Sequence, residues 1–316
     1  MHEGSKRAIF AAFLANLGIA IAKFVGFLIT GASSMLAESI HSLADTANQG
    51  LLFHGGRQAA RPATPEHPFG YGRDRYFWSF VVALVLFSVG GLFAIYEGVE
   101  KVREPHDIDS PAVAFVILGV AVVLEAFSLR TAVRESNQVR GSLGWVAFVR
   151  RSKTPELPVV LLEDLGALFG LFFALTGLTL AVMLDEPRWD GVATVAIGLL
   201  LVSIAVVLVV EMKSLLIGES ATGDQQRAIL GAIEETPGVR RLIHMRTLHL
   251  GPDELLVAAK VELAGSLSVR EVADTIDAAE ARVRSAVPIA RVIYLEPDLF
   301  SPAEAAAPDD GGASAH

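Results

Sequence analysis

The stretch Ala37-Glu-Ser-Ile-His-Ser-Leu-Ala-Asp-Thr-Ala-Asn-Gln49 decides how this chain is read. It lies inside a run, 33–56, that otherwise suits a membrane-spanning helix, which needs ~20 residues. At 100° per residue His41 and Asp45 lie one turn apart, with Glu38 a turn before and Asn48 a turn after. An imidazole, two carboxylates and an amide therefore share one line. Ionisable groups at membrane depth are expensive, and they are kept where they act. Imidazole and carboxylate together hold divalent cations, and both shed protons to do so, which lets such a site exchange a cation for protons. The bland alternative is a polar face that joins helices by hydrogen bonds.

Five more apolar segments surround this one, near 8–30, 76–99, 111–133, 157–184 and 190–212. Together they predict an all-α, six-helix transmembrane domain over residues 1–213, embedded in a lipid bilayer. The first run follows Lys6 and Arg7 but is longer than a signal-peptide core and lacks a clear small-residue cleavage site, so it reads as a retained helix. Arginines and lysines set the orientation. Lys6 and Arg7, then Arg57, Arg61, Arg73 and Arg75, then Arg134, Arg140, Arg150, Arg151 and Lys153 fall on one side. The other side mixes Lys101, Arg103 and Arg188 with acidic residues. Both termini are expected in the cytoplasm, with the plasma (inner) membrane as the site of insertion. The formal charge of −9 leaves no basic footprint for nucleic acid. The absence of cysteine removes disulfides and thiolate ligands, leaving His, carboxylate, amide and carbonyl donors for any metal.

After Lys213 the pattern changes. Residues 222–235 predict an amphipathic helix ended at Pro237-Gly238; 239–250 and 254–263 are alternating runs split by Gly251-Pro252-Asp253, a hairpin signal. Ser268 with Glu271 forms a capping box for a helix to about Ser285, and Ala290–Leu295 supplies a third strand. The αββαβ order predicts a small cytosolic α+β domain, ferredoxin-like, over 214–300. The tail 301–316 is rich in Ala, Pro, Asp and Gly and is expected to be disordered.

The chain resembles the cation diffusion facilitator family in four features. They are His41-Ser-x-x-Asp45-x-x-Asn48-Gln49, the loop His67-Pro-Phe-Gly-Tyr-Gly-Arg73, the acidic pair Glu163-Asp164 in the fifth apolar segment, and the small cytosolic domain. Residues 148–164 look like the subgroup that contains animal zinc transporter nine. The resemblance implies a homodimeric antiporter, not an enzyme, with no prosthetic group, that moves Zn²⁺ or a related dication out of the cytoplasm in exchange for H⁺ by alternating access. It also implies that His41 and Asp45 form one ligand pair and that Asp164 supplies the carboxylate of a second. The partner expected four residues before Asp164 falls on Val160, which cannot ligate. Glu163, Asn48, Glu38 or water is left to complete the site. One histidine among carboxylates is a harder donor set, which brings Mn²⁺, Fe²⁺ and Co²⁺ beside Zn²⁺ as candidate cargo.

Other polar residues have plainer roles. Lys23 in the first segment needs a counter-charge, for which Glu38 is placed, and Asp190 is expected to anchor the start of the last helix. The small residues Ala167, Gly170, Ala174 and Gly177 permit close helix approach. His67 and Tyr71 read as a structural turn, and His244 and His249 as opposite faces of a strand. The family's cytosolic ligand positions fall on Lys260, Arg270 and Leu295, which suit no metal. Two rivals are an intramembrane metallohydrolase and a cation channel. No His-Glu-x-x-His supports the first, and no selectivity ring or broken helix supports the second.

Overall fold

The computed structural model describes the backbone of residues 3–300 and the side chains of residues 16–300. The chain divides into two compact units. One runs through the chain to Pro62 and from Arg73 to Leu216; the other joins the loop Ala63–Gly72 to the chain from Ile217 onward. The expected division at 213/214 thus lies a turn inside the last long helix, because that helix stays apolar to Ile217. The expected tail 301–316 lies outside the described residues.

The first unit is helical. It contains α1 (Glu3–Thr30), α2 (Ser33–Ala59), α3 (Asp74–Val85), α4 (Phe93–Arg103), α5 (Pro111–Val139), α6 (Trp145–Arg151), α7 (Glu156–Leu184) and α8 (Arg188–Ile217). A π-helical turn, Leu86–Leu92, makes α3 and α4 one rod. Four described helices are long and apolar enough to cross a membrane: Asp74–Arg103, Pro111–Val139, Glu156–Leu184 and Arg188–Ile217. Over its described side chains α1 contributes a shorter apolar stretch, Asn16–Thr30. α2 does not qualify on hydropathy, for the reason that makes it informative: Glu38, His41, Asp45 and Asn48 dilute its apolar character. It packs against α1, α3, α4, α7 and the π-helical turn.

Small residues bring the helices together. A Cβ built at Gly98 would lie 2.6 Å from the Val195 nitrogen and 2.7 Å from the Gly191 carbonyl oxygen. One built at Gly198 would lie 2.7 Å from the Ile95 nitrogen and 2.8 Å from the Gly91 oxygen. Glycines seven apart on the α3–α4 rod and on α8 therefore face each other in antiparallel register, at a distance only glycine permits. Ala167, Gly170, Ala174 and Gly177 are all buried in α7, with Gly170 against Glu38 and Gly177 against Ala193.

The amino end of α2 has no side-chain cap of its own. The cap comes from Asp190 in the first turn of α8. Its carboxylate accepts from the Ser33 amide at 2.7 Å, from the Ser34 amide at 3.4 Å and from the Ser34 hydroxyl. The ammonium of Lys101 donates to the Gly31 carbonyl at 3.2 Å, closing the α1–α2 turn from the other side. Asp190 is thus an acidic residue near one helix start that also satisfies the start of another.

The second unit follows the order α9 (Gly223–Glu234), β1 (Val239–Gly251), β2 (Glu254–Leu263), α10 (Val269–Ala286) and β3 (Ala290–Asp298). β1 pairs antiparallel with β2 through the Pro252-Asp253 turn, and β2 pairs parallel with β3, giving sheet order β1-β2-β3. Both helices begin with complete capping boxes, Thr222 with Gln225 and Ser268 with Glu271. In the second, the Ser268 amide donates to Glu271 at 2.7 Å, holding that carboxyl below its ordinary range. Ile229, Ile233, Leu255, Val257, Val261, Val283 and Ile293 form the core beneath the two helices.

Asp190→Ala leaves the buried Ser33 and Ser34 donors without an acceptor, which costs about 1–3 kcal/mol. Thermal unfolding in detergent should show a lower Tm for Asp190→Ala and a smaller drop for Asp190→Asn, which keeps an acceptor. An unchanged Tm for Asp190→Ala would show that the cap carries no stability.

Candidate cation-transport site

α2 presents its polar line as its spacing requires. Glu38, His41 and Asn48 are fully buried and Asp45 is partly exposed. Glu38 accepts from the Lys23 ammonium at 3.0 Å, and Lys23 also donates to the Ser42 hydroxyl at 2.8 Å. This pair fixes α1 against α2 and occupies one carboxylate oxygen of Glu38. Its other oxygen takes the space a side chain at Gly170 would fill. His41 is different. Neither ring nitrogen has a hydrogen-bond partner, and Nδ1 lies 3.5 Å from Asp45 Oδ1. Gly90, in the π-helical turn, leaves room beside it: a Cβ there would lie 4.0 Å from His41 Nδ1.

α7 turns its two acidic residues in different directions. Glu163 is buried and accepts from the Asn48 amide at 2.7 Å, so it is the α7 carboxylate that bridges to α2. Asp164, 100° further round, accepts from Ser128 of α5 at 3.0 Å. Val160 shares the Asp164 face and packs in an apolar cluster with Ala132, Phe148 and Leu161. The position four residues before Asp164 therefore faces α5 and α6, where an apolar side chain fits.

Of the residues singled out in the sequence, His41 and Asp45 stand together, Asn48 and Glu163 stand together, Glu38 is committed to Lys23, and Asp164 is held by α5. Among the described residues no three His, Asp or Glu side chains are gathered closely enough to hold a metal ion in this conformation. Four carboxylates and an unsatisfied imidazole lie around α2 and α7, each held by a single neighbour or none.

One residue was missed by sequence reasoning. Glu125 interrupts the apolar run of α5 and interacts electrostatically with Asp45, Asp164, Glu38 and Lys23. The signal was the one that exposed α2, an ionisable residue at membrane depth, but it stands without a motif around it.

Three further histidines singled out in the sequence lie in the loop and the second unit. In the loop, His67 and Thr64 exchange backbone hydrogen bonds, Gly70 donates to His67, and the His67 ring meets Tyr71 edge-on at 4.6 Å. That is a compact turn. His244 is exposed and His249 is buried in β1, where its amide donates to Glu219 at 2.9 Å. Lys260 is paired with Asp298 at 2.7 Å, which holds the Asp298 carboxyl below its ordinary range, and Leu295 lies in the core.

These features meet known proteins at the level of both units. Residues 9–217 match the cation efflux transmembrane domain, and residues 221–298 match the cytoplasmic domain of cation efflux proteins. The chain is 32% identical over 251 residues to the Xenopus laevis mitochondrial proton-coupled zinc antiporter SLC30A9, covering 78% of this chain and 45% of that protein. It is 30% identical over 270 residues to the human protein of the same name, covering 85% and 48%. It is 26% identical over 270 residues to metal tolerance protein C4 of Arabidopsis thaliana, covering 85% and 59%. The chain thus spans about half the length of these curated relatives. Together with four membrane-length helices, the matches make this a multi-pass membrane protein with a small cytoplasmic domain. The chain belongs to the cation efflux family.

Proposed function

We propose that this protein is a secondary antiporter that exports a divalent cation, Zn²⁺ first among candidates, from the cytoplasm in exchange for protons. The carrying observation is His41: a fully buried imidazole with both nitrogens unsatisfied, 3.5 Å from a carboxylate oxygen of Asp45. A buried imidazole kept for packing would be expected to find a partner. One kept for a passing cation must hold its lone pair in reserve. His41, Asp45 and Asp164 are the proposed ligands of the cargo, with Glu163 and Asn48 as a linked pair that joins the site or couples to it. The zinc and proton assignments are supported by the names of the SLC30A9 relatives. A single histidine among carboxylates supports Mn²⁺, Fe²⁺ or Co²⁺ as the alternative cargo.

The proposal extends to the arrangement. Six membrane helices are read as α1, α2, the α3–α4 rod, α5, α7 and α8, with residues 1–213 as transport domain and 214–300 as a ferredoxin-like dimerisation domain. The homodimer is supported by the match to the family's cytoplasmic domain. Basic residues on the α2–α3 and α5–α7 connections support cytoplasmic termini. The plasma (inner) membrane is the proposed location, although the SLC30A9 relatives are named as mitochondrial. Alternating access follows from the ligands' loose attachment. In this conformation Asp164 is hydrogen-bonded to Ser128 and Glu163 to Asn48; a dication that draws the carboxylates together breaks those bonds, and protons restore them.

Asp45→Ala should abolish transport in reconstituted vesicles while leaving elution as a folded oligomer intact. Transport at near parental rates would remove Asp45 from the site. Cation binding should release protons, because imidazolium and carboxylic acid cannot ligate and a bound dication displaces their protons. Apparent affinity should therefore fall as pH drops. Calorimetry in buffers of different ionisation enthalpy reads the release directly, and equal heats in all of them would exclude net proton displacement.

A further inference from the structure

The buried residues of α5 are Ala114, Leu118, Ala121, Ala132 and Ser136. Spacings of four, three, four and four connect Ala121 to Ser136 through residues 125, 128 and 132. Glu125 and Ser128 thus fall on the inward stripe of a helix that packs against α7 and α1. Ser128 confirms the direction, since its hydroxyl reaches Asp164 on α7 at 3.0 Å. One turn away on the same stripe, Glu125 is half-buried and makes no hydrogen bond or ion pair among the described residues.

The charges around it do not balance. Asp45, Asp164 and Glu38 all interact electrostatically with Glu125. Lys23, the cation that acts on Glu125 and Glu38, is bonded to Glu38 at 3.0 Å and to Ser42 at 2.8 Å. Against Asp45 stands His41, fully buried and unpartnered at both nitrogens. On the α7 side the residue that could have supplied a further donor is Val160, which is packed in an apolar cluster. Buried carboxylates without a counter-ion either hold a proton or bind a cation in its place, which is the exchange an antiport site needs.

We propose that Glu125 is a ligand of the transported dication, an oxygen donor from α5 that supplies what Val160 on α7 cannot. This rests on the reading of His41, Asp45 and Asp164 as the transport site. It makes the donor set one imidazole and three carboxylates from α2, α5 and α7, richer in oxygen than a two-histidine set and more accommodating of Mn²⁺.

The test measures Zn²⁺ and Mn²⁺ binding by titration calorimetry on the full chain in detergent, for the parent, Glu125→Gln, Glu125→Asp and Asp45→Ala. Glu125→Gln keeps shape and removes charge. It should weaken both ions about tenfold or more, Mn²⁺ more than Zn²⁺, while Tm and elution volume stay at the parent's. Glu125→Asp should recover part of the loss. If Glu125→Gln binds both ions within twofold of the parent while Asp45→Ala has lost them, Glu125 is no ligand and the underlying site stands. If Asp45→Ala also binds within twofold, the site itself is misplaced and this inference falls with it. Should Glu125→Gln fail to fold, Glu125→Asp decides: a shift in the Zn²⁺-to-Mn²⁺ affinity ratio is expected, and an unchanged ratio overturns the proposal.

Discussion

Lys23 and Glu38, both fully buried and 3.0 Å apart, set the terms for everything around them. A charge in this interior is tolerable only when paired and hydrogen-bonded, and the Ser42 hydroxyl completes the arrangement at 2.8 Å. The pair locks α1 to α2 and fixes the rotation of α2. With that rotation set, His41 and Asp45 must point inward one turn later, and Asn48 a turn beyond. Gly170 belongs to the same constraint, because a side chain there would occupy the volume of the Glu38 carboxylate. The lock also commits the Lys23 ammonium to Glu38 and Ser42.

Much of this was legible from residues alone, and the reasons differ by region. The capping box at Ser268 and the Pro252-Asp253 hairpin are local chemistry, decided within a few residues, and both formed. The Lys23–Glu38 pair was legible because each charge lies deep in an apolar run and needs the other. The short helix α6 was not, because seven residues give too few turns to show a period. The π-helical turn Leu86–Leu92 leaves no pattern in an apolar sequence, since one extra residue per turn shifts a face without changing its composition.

The acidic pair Glu163-Asp164 shows where a motif stops informing. Adjacent residues on a helix cannot face the same way, and pattern alone does not say which looks toward α2. Contacts decide it: Asn48 takes Glu163 and Ser128 takes Asp164. The same contacts explain Val160. A residue four before Asp164 shares its face, that face is turned to α5, and the space there is lined by Ala132 and Phe148. Valine is what the packing accepts, and an imidazole in its place would bury a polar ring among apolar side chains at a cost in stability.

The π-helical turn bears on how His41 is kept available. An ordinary α-helical rod would run one side chain after another past α2, and a residue with a Cβ at position 90 would stand in van der Waals contact with the imidazole. Gly90 presents bare backbone there, and its amide and carbonyl are engaged within the helix, so they offer the ring no strong partner. The ring is enclosed by atoms that neither clash with it nor bond to it. The ring is fully buried and neither nitrogen has a hydrogen-bond partner, and Nδ1 faces the carboxylate of Asp45 at 3.5 Å. On the proposed reading of the site, an ion entering between them would replace a poor contact with two good ones, without unmaking any hydrogen bond of the imidazole.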